Sequence, residues 1–574
     1  MAEAAGSSPV PDIEYCFGKR CLMSLLSRIV NAETKAEKER SVLNYMGGIS
    51  FELSPLLTLK MVSASSIFGE PQYYRAGLKK ESWLDAIYKT DPVFKPYCIF
   101  ADRFEGKKTS KIMEMLIDEA LSYDFEGTLL WAQELRTDYL MRLNPQVIMV
   151  RAALHPDRAA FNREHPGIFA RVEEKVMARA DEPSSQLAYF LFLQKHRGYQ
   201  AAKRNLPNVL KRAWARKLES LDRYTVRKYR QAETGMINTV RICHAHNEIL
   251  AELMETGTVE VSKEETTWEI LRSGGMKWKE IFDTTYIGHM AILRNLRGIF
   301  TETEDLSFCR KLMEQLKKGV PGGRQFPFRY LQAYKIIYKD NSVHHKQVLL
   351  DTLEECMDIA CDNMPRLKGK TICLSDNSGS AWGTIPSEYG SVCIAEIDNL
   401  SSTITACNSD EGYVGLFGDK LIVKPISKRN GLLQQTYLMN GVKNEIGLST
   451  ENGIWLFFDK AIQKREHWDN IFIYSDMQAG HGGLYGTGPS IAAYTAQGYA
   501  VRGMYVDVAK LIQTYRRKVN PKVNVFCVQT AGYNNVLVPE YGYRTNILYG
   551  WTGKELSFAK TQIQLWDEAE SQQD

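Results

Sequence analysis

Asp376, Ser378 and Ser380 fall in one five-residue stretch, Asp376-Asn377-Ser378-Gly379-Ser380, directly after the apolar run KTICLS. A carboxylate and two hydroxyls at alternate positions present hard oxygen donors on one turn, the ligand type that Mg²⁺ and Mn²⁺ prefer. Asp476 ends a second apolar run, NIFIYS, and Thr450 lies just before the helical pattern IWLFFDKAI. If the two runs are strands of one parallel sheet, these loops open on the same edge. Two carboxylates, two serine hydroxyls and a threonine hydroxyl could then share one divalent cation, Mg²⁺ before Mn²⁺, and leave a coordination position for an acidic ligand. The same residue types also serve as helix N-caps and turn formers with no metal at all.

A second chemistry is electrostatic. From Lys195 to Arg230 the chain carries twelve Lys or Arg against two acids, a local +10. The whole chain has a formal net charge of +4, so the remainder stands at −6. Leu210, Ala213, Trp214, Leu218 and Leu221 recur at helical spacing, which predicts a packed amphipathic helix with Lys211, Arg212, Arg216 and Lys217 turned outward. A cationic stripe of this kind attracts polyanions, and each phosphate it neutralises releases counterions. Tyr199, Trp214, Tyr224 and Tyr229 interleave with the charges, and exposed aromatics there could stack unpaired bases. A plain solvated helix face is the competing reading, and lipid headgroups a third, disfavoured because the core needs the apolar stripe.

Other motifs are weaker. Gly369-Lys370-Thr371 lacks the upstream glycine of a phosphate loop and enters a strand, and in the Gly480 to Gly488 loop Tyr485 occupies a position where a dinucleotide fingerprint needs glycine. His344-His345 and Cys243-His244-Ala245-His246 have no second cluster at zinc spacing. No Ser/His/Asp or Cys/His arrangement stands out, so an enzyme is not expected.

These residues need elements to hold them. The chain has 574 residues, 44% of them apolar and 24% charged, an ordinary globular composition with room for several domains. Residues 1–12 read as disordered, residues 13 to about 365 as helix after helix, and the texture changes at Pro365 to Lys370. Beyond it KTICLS, YVGLFG, NIFIYS, AVRGMYV and KVNVFCVQT read as strands alternating with helical patterns, which predicts a doubly wound parallel sheet. The final DEAESQQD is acidic and expected to fray. Eleven cysteines without a C-x-x-C pair suggest reduced thiols, and MAEAAGSSPVPD has neither a basic nor an apolar region of an export signal. The longest uncharged stretch, Met477 to Val501, is too rich in Gly, Gln, Thr and Tyr for lipid. A cytoplasmic protein without a membrane span is the expectation.

Taken in order, FGEPQYYR (Phe68 to Arg75), RLNPQVIMVRAA (Arg142 to Ala153), RKYRQAETGMINTVRICH (Arg227 to His244), HMAILRNLRG (His289 to Gly298), FPFRYLQAYKIIY (Phe326 to Tyr338) and then LSDNSGS resemble the Ro autoantigen family, the TROVE-module proteins that bind Y RNA, especially bacterial members. The resemblance spans about residues 30 to 565. It implies a multi-domain chain: an all-α ring of HEAT-like helical repeats at 13–367, an α/β doubly wound von Willebrand factor A-like domain at 368–566, and the acidic tail at 567–574. It further implies Y RNA on the basic outer surface, single-stranded 3′ ends of misfolded RNA in the central hole, and a 3′ to 5′ exoribonuclease of the polynucleotide phosphorylase type joined through the RNA. Family RNA contacts carry over to Lys228 and His244, while a family arginine falls on Ala232, with Arg230 near enough to substitute. The metal residues match at Asp376, Ser378, Ser380, Thr450 and Asp476, with Asn377 and Gly379 as departures within the turn. The resulting expectation is a monomeric, non-enzymatic scaffold for noncoding RNA metabolism and RNA quality control, gripping RNA with Lys211, Arg212, Arg216, Lys217, Lys228, Arg230 and His244. The alternative is a metal-dependent adaptor whose A domain captures an acidic group of a protein partner.

Overall fold

The computed structural model describes residues 41–43, 49–52, 54–65, 109–195, 204–230, 235–261, 266–323, 325, 327–362, 364–383, 392–447, 453–477, 500–501, 505–530, 535–538, 543–549 and 555–571. Residues 113–309 form one compact unit, and residues 1–112 together with 310–574 form the other. The first strand of the main sheet starts at Leu367, within the Pro365 to Lys370 change of texture. Helices Pro327–Lys339 and Lys346–Asp362 belong with the sheet-bearing unit, where Lys335 Nζ pairs with Glu396 Oε1 at 2.6 Å and Asp358 Oδ1 accepts the Leu432 N–H at 3.1 Å. A change of texture marks where strands begin, not where packing ends.

The helical unit contains α1 (Phe125–Thr137), α2 (Leu143–Leu154), α3 (Ile168–Val176), α4 (Glu182–Leu193), α5 (Asn208–Glu219), α6 (Arg223–Tyr229), α7 (Met236–Cys243), α8 (Glu248–Thr256) and α9 (Trp268–Ser273). Their starts follow side-chain chemistry. Asp124 accepts the Gly127 N–H at 2.8 Å, Asp222 the Thr225 N–H at 2.7 Å, and Asn247 the Leu250 N–H at 2.8 Å, each satisfying a donor that the first helical turn leaves free. Leu129, Trp131, Ile148, Phe169, Phe190, Leu210, Trp214 and Leu218 are buried in its core.

In the other unit a six-stranded sheet is assembled from β1 (Leu367–Asp376), α10 (Gly379–Gly383), α11 (Ile394–Cys407), β2 (Ser409–Phe417), β3 (Leu421–Pro425), α12 (Leu432–Gly441), α13 (Gly453–Lys464), β4 (Asn470–Ser475), α14 (Val508–Lys518), β5 (Asn524–Gln529), β6 (Thr545–Tyr549) and α15 (Glu555–Ser571). The strand order is β6-β5-β4-β1-β2-β3, parallel except for β3, which pairs antiparallel to β2 at the edge. Every residue of β4 and β5 is buried, the continuous apolar pattern that a sheet covered on both faces requires. Gly412, where a Cβ would collide with the Ala406 carbonyl, lets β2 pass hard against the end of α11.

Four sequence expectations change. Ser41–Leu43 and Ile49–Glu52 are strands of a small antiparallel sheet completed by Asn535–Val536, within what reads as an all-helical stretch. AVRGMYV is no strand of the main sheet, because Ala500–Val501 and Tyr505–Val506 pair only with each other. Strands β3 and β6 carry no strong apolar run and go unpredicted. The acidic end does not fray at Asp567: α15 runs to Ser571, and Asp567 and Glu570 hold the buried Arg544. Among the described residues no helix is long and apolar enough to cross a membrane, and the eight described cysteines are free and buried.

Candidate functional site

Strand β1 lies at the point where the winding of the sheet reverses, with β2 on one side and β4 on the other, and ligands of such sheets bind at the carboxyl ends of these strands. Asp376 ends β1 and Asp476 directly follows β4. The side chains meet. Ser378 Oγ is 3.1 Å from Ser380 Oγ, which donates to Asp476 Oδ2 at 2.9 Å. Asp376 Oδ1 accepts the Ser378 N–H at 2.9 Å and Oδ2 the Ser475 hydroxyl at 2.6 Å. Asp376, Ser378 and Asp476 are buried and Ser380 is half-buried. Burial raises the Asp376 carboxyl above its usual range, against the hydrogen bonds from Ser475 and Ser378.

The turn is locked from behind by Asn377. Asn377 Nδ2 donates to Asn399 Oδ1 at 2.9 Å and to the Ser375 carbonyl at 3.1 Å, while Asn399 Nδ2 donates to Asn377 Oδ1 at 3.1 Å and to Asn440 Oδ1 at 2.8 Å. This network ties β1 to α11 and α12. Thr450 lies outside the described residues. Among the described residues no group of three or more His, Cys, Asp or Glu side chains converges at metal range. The four expected donors that are described are two carboxylates and two hydroxyls, oxygens of the kind a hard cation takes.

On the helical unit, Leu210, Ala213, Trp214, Leu218 and Leu221 are buried as their spacing predicts. The outward charges are less uniform. Arg212 is exposed and Lys211 half-exposed on α5, and neither has an ion pair among the described residues. Arg216 pairs with Glu174 at 3.0 Å, Lys217 Nζ donates to the Ala178 carbonyl at 2.9 Å, and Lys228 lies 3.5 Å from Glu269. At about 100° per residue, Lys217 lies roughly 240° round the helix from Lys211, so these two flank the crest on opposite sides instead of forming one stripe. Trp214 is a core residue whose Nε1 donates to Gln186 Oε1 at 2.7 Å, not a stacking platform. Tyr199 and Ala232 lie outside the described residues.

Further cations of this unit are free as well among the described residues. Arg204 and Arg241 are exposed without an ion pair among the described residues. Arg230 Nη1 donates to the Arg227 carbonyl at 3.1 Å, and burial followed by the Arg227 charge lowers its proton affinity, a like-charge contact that an anion would relieve. Lys228 Nζ lies 6.0 Å from the Tyr224 ring and 5.8 Å from the Tyr229 ring. His244 is exposed at the end of α7 with φ 59°, a left-handed conformation that holds its ring out from the helix terminus. The Lys211 charge reaches the adjoining Cys243, so Lys211 and His244 share one neighbourhood.

No family model and no curated protein sequence matches the chain. Its structure is similar to the crystal structure of the Ro (RSR) protein of Deinococcus radiodurans, with a TM-score of 0.52 and 14% sequence identity over 78% of this chain and 93% of that one. The fold is that of a Ro protein. The Ro resemblance read from the residues thus holds at the level of the fold, which is mostly helical with one six-stranded mixed sheet. Of the Ro segments, Phe68 to Arg75 lies outside the described residues, whereas RLNPQVIMVRAA and HMAILRNLRG form α2 and helix His289–Glu302.

Beneath the basic surface of this Ro fold sits Glu173, fully buried on α3, with neither carboxyl oxygen hydrogen-bonded. Gln186 stands beside it but is engaged with Trp214 and, at 2.6 Å, with Gln146 Oε1, while the neighbouring Glu182 is bound to Arg136 at 2.9 Å. Burial, reinforced by the Glu182 charge, raises Glu173 to about 7. The folded protein therefore holds this proton more tightly than the unfolded chain, and stability falls as pH rises from the ordinary glutamate range through about 7. Glu173→Gln is expected to abolish that fall and to stabilise the protein at pH 8 by about 2 to 3 kcal/mol. Urea unfolding at pH 5 and pH 8 checks it: equal pH dependence in both proteins would contradict the prediction.

Proposed function

We propose that the protein is a non-catalytic RNA-binding scaffold acting in noncoding RNA metabolism and RNA quality control. Its RNA surface is the patch formed by Lys211, Arg212, Lys228, Arg230 and His244, with Arg216 and Lys217 at its border. The observation that carries the reading is Arg212 with Lys211, cations left without carboxylates on a helix whose opposite face is core. Arg204 and Arg241 extend the patch. The paired cations are not lost to binding, since exposed ion pairs contribute only about 0 to 1 kcal/mol and a phosphate can replace a carboxylate. Structured noncoding RNA of the Y RNA type is the expected ligand, with unpaired ends of misfolded RNA as a second class and a 3′ to 5′ exoribonuclease recruited through the RNA. The protein would work in the cytoplasm as a monomer, with Mg²⁺ or Mn²⁺ held by Asp376, Ser378, Ser380, Asp476 and Thr450.

Salt dependence tests the reading. Log affinity for a structured RNA should fall steeply with log salt, and Lys228→Ala should lessen the slope by about one. Affinity unchanged between low and high salt would refute electrostatic RNA binding. The pure protein should cleave no RNA.

The joined Asp376, Ser378, Ser380 and Asp476 cluster favours one other reading, an adaptor that captures an acidic partner group through the metal. Asp376→Asn and chelation separate the two. Under the scaffold reading both leave RNA affinity within about two-fold. If both abolish the main interaction while Lys228→Ala changes nothing, the adaptor reading replaces it.

A further inference from the structure

Behind the rim cluster lies a second set of oxygens that nothing among the described residues satisfies. Asp398, on α11, is fully buried, and neither carboxyl oxygen has a hydrogen-bond partner. Ser402, one helical turn further on, is fully buried with an unpartnered hydroxyl on the same helix face. Thr530, immediately after β5, is fully buried as well, and its Oγ1 has no partner although its N–H donates to the Ser475 carbonyl at 3.2 Å. Burial, reinforced by the Asp376 charge and opposed by the nearby Thr530 hydroxyl, holds the Asp398 carboxyl well above the usual carboxylate range, and no hydrogen bond closes between Thr530 and Asp398. An unpaired buried carboxylate is costly, and buried charges are normally paired or bound to metal.

Charge and geometry point the same way. The charges of Asp376 and Asp476 both reach Asp398, so the interior under this sheet edge gathers three carboxylates. These three do not converge on a single point at metal range. One cation at the rim therefore cannot satisfy the oxygens of Asp398.

We infer that Asp398, Ser402 and Thr530 form an inner site for a second hard divalent cation, behind the one held by Asp376, Ser378, Ser380 and Asp476. One carboxylate and two hydroxyls supply hard oxygens of the kind Mg²⁺ and Mn²⁺ accept, with water completing the shell. The site rests on Asp398's own unsatisfied oxygens and does not depend on the RNA reading.

The test counts Mn²⁺ bound per chain by calorimetry and by electron paramagnetic resonance on the full-length protein. Wild type should bind two ions, while Asp398→Asn, which keeps the side-chain shape, and the Ser402→Ala/Thr530→Val pair should each lose one. Mn²⁺ should raise the melting temperature of wild type further than that of either variant. Asp376→Asn should lose the other ion and retain the inner one. Loss of the single bound ion in Asp398→Asn but not in Asp376→Asn would support the inner site and remove the rim site instead. One ion in wild type, still bound by Asp398→Asn and lost in Asp376→Asn, overturns the inference and leaves the rim site standing. An unchanged count in Asp398→Asn with a higher melting temperature also overturns it, since Asp398 would then be a buried neutral acid.

Discussion

Replacing Lys211 and Arg212 together by glutamate is expected to lower affinity for structured RNA about 100-fold near physiological salt, a loss of about 2.7 kcal/mol. Both side chains lack an ion pair among the described residues, so the substitution breaks no ion pair there. It removes two positive charges and adds two negative ones. The slope of log affinity against log salt should fall by about two, because two phosphates no longer release their counterions. Arg216→Ala makes a graded control. Its guanidinium already pairs with Glu174, so part of its charge is spent before RNA arrives, and the loss should be only a few-fold. Electrophoretic mobility shifts across a salt series measure all three proteins. If the double reversal binds like wild type, the RNA surface lies elsewhere on the molecule.

Arg544→Ala should destabilise the sheet-bearing unit by about 3 to 5 kcal/mol, the range for breaking a buried ion pair by removing one partner. Arg544 is 2% exposed and donates to Glu570 Oε1 at 2.8 Å, to Asp567 Oδ1 at 2.6 Å and to Asn524 Oδ1 at 2.9 Å. Burial opposes its charge, but the hydrogen bonds it donates to both carboxylates outweigh burial and raise its proton affinity. Glu570 responds in kind: against burial, Arg544, Tyr543 and Lys522 hold it down at about 2. A carboxyl lowered in the folded state contributes stability above the ordinary glutamate range and loses it as pH falls toward about 2. In wild type α15 should therefore loosen in acid. In Arg544→Ala it should be loose already at neutral pH, with early amide exchange across residues 555–571 and a lower unfolding midpoint in urea. Full protection of α15 in the variant would show that apolar packing alone holds it.

That clamp marks one boundary of what the chain discloses in one dimension. Asp567 and Glu570 sit in an acidic, polar stretch that reads as a frayed end, and the arginine that orders them is more than twenty residues upstream, reached only when β6 and α15 come together. The small strands near residue 50 escape for the same reason, since their partner is Asn535–Val536. Asn377 reads as a departure in the Asp376 to Ser380 turn, yet with Asn399 and Asn440 it locks that turn in place.

Local pattern by itself determined the strands that carry Asp376 and Asp476, the helix that buries Trp214 against a basic outer face, and the resemblance to Ro proteins, because periodicity and residue type act over a few neighbouring positions. Only the tertiary structure decided which cations keep their charge free, since the carboxylates facing Arg216 and Lys228 arrive from other helices. It alone decided that Asp398 lies buried near Asp376 and Asp476 without a hydrogen-bond partner among the described residues. Pairing and burial depend on what the fold brings alongside, and no spacing along the chain encodes that.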